Sequence, residues 1–383
     1  MNRYRVFVLG AGFSKPAGLP LAQVLWKEVL DRARRLEWIR EELDYELGEF
    51  DRYRSSRGNE IDDQPVDFED FMAFLDLEHA LGLTGSDTFS AEGNRLQLAL
   101  RWLIAQIIVE RTPPPDALPP CYQEFVDALQ PHDYVLTFNY DTILENALDS
   151  IGRPYRLFPS RYAAVHDGWA EGDSSREEVA VIKLHGSVDW FDRADYTQEE
   201  ARSRREGGPP LPHIVFGPTS PAVTTPLLEG PQFKDEPLLD VHRVIGGLAE
   251  VYRRDPPLLV SPVMLAPSYM KVLYADRLRS SFWGLGQIGG YNLGLVVIGY
   301  SLPRHDDYAR LAFLRMFANY QRSWWDDDFS GMRKKPALLI DFRDSPEAEA
   351  AYRSTYSFSE PEKTQFYFDG FDSDAVALIR EAT

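Results

Sequence analysis

Three short segments carry side chains suited to holding and cleaving a phosphate-bearing ligand. Gly10-Ala11-Gly12 directly follows the apolar run Tyr4–Leu9. Glycines at that spacing let a backbone approach a pyrophosphate while amides and a helix N-terminus point at it. Ser14 adds a hydroxyl and Lys15 a charge. Asn139 and Asp141 stand in TFNYD, just past the apolar run Tyr134–Thr137, and His185 ends VAVIKLHG. Open α/β sheets bind ligands at the carboxyl ends of their strands, which is where all three segments fall. An imidazole near its ordinary pKa of about 6.5 can act as a base at neutral pH. Plainer readings stand beside these: a tight turn at 10–12, Asp141 as the cap of a following helix, and His185 as a satisfied core histidine. Asp341, at the end of LLIDF, can accept hydrogen bonds from a ribose or cap the next helix.

The elements that must position these residues follow from periodicity. Tyr4–Leu9, Tyr134–Thr137, Val179–Leu184, Leu293–Ile298, Ala337–Asp341 and 364–368 read as short strands. Helices are expected after Pro20 and at 142–150, 238–253, 270–289, 305–320 and 346–356. Strands alternating with helices predict an α/β fold, a doubly wound, parallel, Rossmann-like sheet. Residues 37–131 show helical periodicity without strand signal and read as a helical insertion, interrupted by the polar tract 51–67 and by PPPDALPP at 113–120. A Pro/Gly-rich insertion at about 191–257 is expected to be irregular, with ARSRREGG at 201–208 a solvated loop. Asp306 and Asp307 read as charges favoured at a helix N-terminus, and Trp324-Trp325-Asp326 as a packed corner. Gly186, Ser187 and Trp190 read as a pocket wall, Trp190 equally as core.

Composition narrows the function classes. The 383 residues hold 41 Lys plus Arg against 60 Asp plus Glu, a formal net charge of −19. That field opposes nucleic acid or anionic lipid as the main partner. Cys121 is the sole cysteine, which excludes an internal disulfide and a thiolate zinc site. No metal is expected. The opening reads as a strand running into a turn rather than a leader, and no run approaches the ~20 apolar residues of a membrane helix, so a cytoplasmic protein is expected. Lys15 occupies the third-glycine position of the dehydrogenase fingerprint, and no acid is evident about 20 residues on. An ordinary NAD-dependent dehydrogenase fits poorly.

Taken together, GAGFSKPAGLP, TFNYD, KLHGS and VIGYSLPRHD resemble the sirtuin (SIR2) family, and more closely its SIR2-like branch of bacterial NAD-consuming antiphage defence proteins. The resemblance covers roughly 1–36, 134–190 and 293–342 and implies a single SIR2-like NAD-binding domain over 1–383. It implies NAD⁺ as substrate, bound by Gly10, Ala11, Gly12, Phe13, Ser14, Asp141, Gly299, Ser301 and Asp341. Asn139 would lie beside the nicotinamide ribose, Asp141 near the carboxamide, and His185 would be the catalytic base. The activity so implied is NAD⁺ hydrolysis to nicotinamide and ADP-ribose by an oligomeric effector, with a separate activator such as a HerA-type ATPase. The four-cysteine zinc module of sirtuin deacylases is absent, as is the arginine after the glycine segment, where LAQVLW stands. Peptide deacylation or ADP-ribosyl transfer, and a regulatory module that binds NAD or ADP-ribose without cleaving it, remain the alternatives.

Overall fold

A computed structural model describes residues 4–56, 66–85, 92–257, 260–288, 292–303, 306–323, 325 and 333–382. Among the described residues twelve strands follow in chain order: β1 (Val6–Leu9), β2 (Tyr134–Thr137), β3 (Tyr155–Arg156), β4 (Tyr162–His166), β5 (Trp169–Gly172), β6 (Val179–Lys183), β7 (Trp190–Asp192), β8 (Val223–Pro226), β9 (Val241–Gly246), β10 (Leu295–Ile298), β11 (Ala337–Ile340) and β12 (Thr364–Tyr367). Seven form one sheet in the order β12-β11-β10-β1-β2-β6-β3, and every pairing in it is parallel. The α/β class and the doubly wound parallel sheet are as expected.

A parallel sheet covered on both faces needs strands that are apolar throughout, since each face meets its own core. β1 shows this directly. Phe7 and Leu9 belong to one apolar cluster with the helices Ala22–Ala33, Arg95–Arg111 and Pro120–Ala128, whereas Val6 and Val8 belong to a second with Asp307–Arg322. The chain runs outward from β1 through β2 to β6, then returns to build β10, β11 and β12 on the other side. The order therefore reverses between β1 and β10, the kind of crevice in which open α/β sheets take ligands.

Between 37 and 131 the described residues hold the helices Glu37–Ser56, Phe68–Ala80, Arg95–Arg111 and Pro120–Ala128 and no strand. The Pro/Gly-rich stretch corrects the expectation of irregular chain. Residues Ala194–Arg205 are helical, and β7, β9 and β8 form an antiparallel sheet. The helix expected at 238–253 is β9 followed by the short helix Leu248–Tyr252. Val241 and Val244 are buried against the neighbouring strands, and Gly247 at φ +75° turns the chain. The tract 270–289 is not one helix either. It breaks into Lys271–Leu278, Arg279–Phe282 and Leu285–Gln287, with Gly284 at φ +75° between the last two. Residues 57–65 of the polar tract, His305, Trp324 and Asp326 lie outside the described residues. Among the described residues no helix is long and apolar enough to cross a membrane.

Candidate active site

The carboxyl edge of the sheet gathers the expected residues through backbone contacts that only glycine allows. Gly12 donates its amide to Gly299 O at 2.9 Å, and Gly10 donates to Ile298 O at 2.9 Å. A β-carbon on Gly10 would lie 2.6 Å from Gly299 O, and one on Gly12 would lie 2.6 Å from Gly299 Cα. The loops after β1 and β10 thus lock together at the crevice. Phe13 donates its amide to Gly10 O at 2.9 Å and is buried among Tyr122, Phe125 and Phe371. The amides of residues 10, 12 and 13 are spent within the protein, and Phe13 is core. Ala11 and Ser301 are the exposed residues of the two loops.

Asn139 is tied to this turn. Its Nδ2 donates to Gly10 O at 2.9 Å and to Ser14 Oγ at 3.0 Å. A carbonyl oxygen only accepts, so the contact with Gly10 fixes which way the carboxamide faces and turns Oδ1 away from Gly10 O. Ser14 Oγ passes its single proton to Asp141 Oδ2 at 2.7 Å, and Asp141 Oδ1 accepts from the Ile143 amide at 3.1 Å. The N-cap of the helix Ile143–Ser150 is Thr142, not Asp141; Asp141, one residue earlier, serves the helix start only through the Ile143 amide, and it is linked to Asn139 through Ser14. Ser14 is buried and donates to Asp141, so it serves as a positioning link.

His185 sits on the neighbouring strand end at the register level of Asn139, since Thr137 pairs with Lys183. The ring is buried. The Phe138 ring meets it edge-on with centroids 5.0 Å apart, Tyr140 lies at 5.9 Å, and the Tyr308 hydroxyl hydrogen-bonds Nε2. Burial, reinforced by the charge of Lys271, holds the imidazole pKa well below its ordinary value. This corrects the expectation of an unperturbed base: the ring is neutral at cellular pH. A hydrogen bond to the Phe138 backbone pulls the other way.

The corner that carries His185 is clamped from below and behind. Lys183, one turn of pleat earlier, is fully buried and pairs with Glu145 Oε1 at 2.7 Å while donating to Asp141 O. Behind, Leu265 donates to His185 O at 2.9 Å and Ser187 to Val263 O at 3.0 Å. Gly186, at φ +77°, runs so close to Val263 that a side chain would overlap it. Ser187 and Trp190 are fully buried, so Trp190 is core and the wall reading is corrected. Asp341 reaches the same edge of the sheet from β11, where its carboxylate accepts from the Phe342 amide at 2.8 Å and from Arg343 at 2.6 Å. Burial raises its pKa, with Arg343 opposing.

Two residues escaped the sequence. Tyr308 and Lys271 had no motif to mark them. Asp306, read as a charge favoured at a helix N-terminus, is the N-cap of Asp307–Arg322, and it is also buried and pairs with Lys271 at 2.8 Å. The structure thus makes one hydrogen-bonded group of Gly10, Ser14, Asn139 and Asp141, and a second, adjacent one of His185, Phe138, Tyr140 and Tyr308. Phe138 and Tyr140 flank Asn139 in the chain and join the two. Gly299 belongs to the first group by backbone contact.

Residues 133–246 match the family model of the SIR2-like domain. Solved structures that align with the chain include Sir2Tm bound to a propionylated peptide, at 12% identity and a TM-score of 0.29, covering 99% of this chain and 92% of that one. Another is Sir2 in complex with the inhibitor EX-527, 2′-O-acetyl-ADP-ribose and a deacetylated p53 peptide, at 13% identity and a TM-score of 0.32, covering 99% and 93%. No curated protein matches.

Proposed function

We propose that the chain hydrolyses NAD⁺ at the nicotinamide–ribose bond. The observation that carries this reading is the crevice at the order reversal, where the loops 10–14 and 299–301 interlock and hold the Asn139 carboxamide beside the His185 corner. Water would form the new bond to the ribose C1′ as the carbon–nitrogen bond breaks. The electron pair leaves on nicotinamide, already a good leaving group because its ring nitrogen is positive. ADP-ribose and one proton are the other products.

Asn139 Oδ1 would accept from the attacking water or a ribose hydroxyl, with the Gly10 and Ser14 contacts holding the amide so that little reorganisation is needed. His185 would take the proton. Ala11 and Ser301 would meet the pyrophosphate, Asp341 the adenosine ribose, and Asp141 the carboxamide side. The whole chain would act as one domain carrying the helical insertion. We read it as the effector of an antiphage defence system in the cytoplasm, acting as a homo-oligomer with a separate activator such as a HerA-type ATPase.

The test is chromatography of NAD⁺ incubated with wild type, Asn139→Ala and His185→Ala. Nicotinamide from wild type, with loss of ~10²-fold or more in each variant, supports the reading. Equal rates in all three overturn it. One observation favours a second reading: the buried His185 ring already has its Nε2 engaged by Tyr308. Calorimetry that finds NAD⁺ or ADP-ribose bound, with no turnover in the presence of the product of the neighbouring gene, would make the chain a regulatory binding module.

A further inference from the structure

We infer that Lys271, Asp306 and Tyr308 form a latch that holds His185 shut, and that the latch must open before the imidazole can meet any ligand. The inference rests on the hydrolase reading for its purpose, but its geometry is independent of it.

Two chain segments close over the ring. One enters the short helical stretch Lys271–Leu278, and the other begins the helix Asp307–Arg322. They are joined by the Lys271–Asp306 pair, whose side chains are each 3% exposed. The second carboxylate oxygen of Asp306 accepts from the Tyr300 hydroxyl at 3.1 Å. Tyr300 in turn stacks on Phe138 with centroids 4.2 Å apart and planes 6° from parallel. Two residues beyond Asp306, the Tyr308 hydroxyl caps Nε2 of His185. The chain of contacts thus runs from the ion pair to both sides of the imidazole.

Chemistry makes this state idle. Nε2 is engaged by Tyr308, and Phe138 and Tyr140 pack against the buried ring. While the ring stays buried with Nε2 engaged, that nitrogen takes no proton from water or from a ribose. A buried ion pair suits a two-state element. Its desolvation cost nearly cancels its attraction, so closure need not be strongly stabilising, while breaking one partner is costly unless the other reaches water. Opening would have to solvate both ends at once. Val272 and Leu273, 54% and 46% exposed, stand beside Lys271 as the outer handle of the same stretch.

The test reads His185 without NAD⁺. The full chain is treated with diethyl pyrocarbonate, and carbethoxylation of each histidine is followed by peptide mass spectrometry. His166, which is exposed, serves as internal reference. Wild type should modify His185 at least tenfold more slowly than His166. Tyr308→Phe and Asp306→Asn should each raise the His185 rate tenfold or more, with circular dichroism unchanged. The double variant Lys271→Met, Asp306→Leu should keep it slow, because it replaces the pair with apolar side chains and guards against loss of folding in the single variants.

Reaction of His185 as fast as His166 in wild type would overturn the latch, as would unaltered rates in both folded single variants. NAD⁺ cleavage is measured separately on the same proteins. If the variants expose His185 and none cleaves NAD⁺, the latch stands and the hydrolase reading falls. If wild type turns over NAD⁺ at the variants' rate, the latch is refuted and the hydrolase reading survives.

Discussion

Substituting Gly299 by Ala tests whether the site is built on chain crossing rather than on side chains. The residue lies at φ +63°, where an L side chain costs about 1–2 kcal/mol. A β-carbon there would overlap Cα and C of Gly12 and N of Phe13, well inside the 3.0 Å that real β-carbons respect. Ordinary contact begins at 3.4 Å, so the two loops must part by about 1 Å. Overpacking of this kind costs ~1–3 kcal/mol. Loss of the Gly12 to Gly299 hydrogen bond adds about 1 kcal/mol. Together these give about 3–6 kcal/mol, a large part of the roughly 5–15 kcal/mol that holds a protein folded. Urea unfolding followed by circular dichroism measures it. Gly284→Ala is the control, at φ +75° with nothing within 4 Å, and should lose only the conformational part, about 1–2 kcal/mol. If Gly299→Ala loses no more than Gly284→Ala, the loops are not interlocked and the account of the crevice is wrong.

Two further outcomes follow from buried charge. Glu145→Gln should cost about 3–5 kcal/mol, because it strands Lys183 beneath the site, whereas Lys183→Met with Glu145→Leu should recover most of that in the same unfolding assay. A double variant as unstable as the single one would contradict this. His185 has a folded pKa depressed below that of the unfolded chain, so the unfolded state binds the extra proton, and stability present above about pH 6.5 is lost as pH falls below it. Between pH 7.5 and 5.5 this removes at most about 1.4 kcal/mol. His185→Gln should lack that portion of the loss, while the half-buried His213 and His242, common to both proteins, cancel. Parallel pH dependences in the two proteins would refute the burial argument.

How far the sequence could be read depended on whether a residue's neighbours were local. Five of the six longer strands of the main sheet were legible because each is an apolar run covered on both faces, as Val6–Leu9 shows, whereas the edge strand β12 is polar in part and only half-buried. Asn139, Asp141 and the glycine turn were legible because strand ends select such residues locally. Tyr308, Lys271 and Asp306 were not, because their burial depends on segments 35 or more residues apart meeting over His185. The hairpin β4–β5 did carry a signal, Asp167-Gly168 with Gly168 at φ +80°, that went unread amid the polar composition around it. β9 was mistaken for helix because Val241 and Val244 sit three apart, a spacing that either element can present. The glycines at 10, 12 and 299 were read as ligand-facing, and backbone crossing accounts for all three.

The central place of β1 has a consequence for biosynthesis. Val6 pairs with Tyr134 on one side and Leu295 on the other. One edge of β1 must therefore wait, unpaired, while the ribosome adds the residues between those partners, roughly 8–30 s at ordinary rates of synthesis. Through that interval an apolar edge is open to any passing strand. A nascent chain stalled before residue 295 should bind chaperones that the finished protein does not.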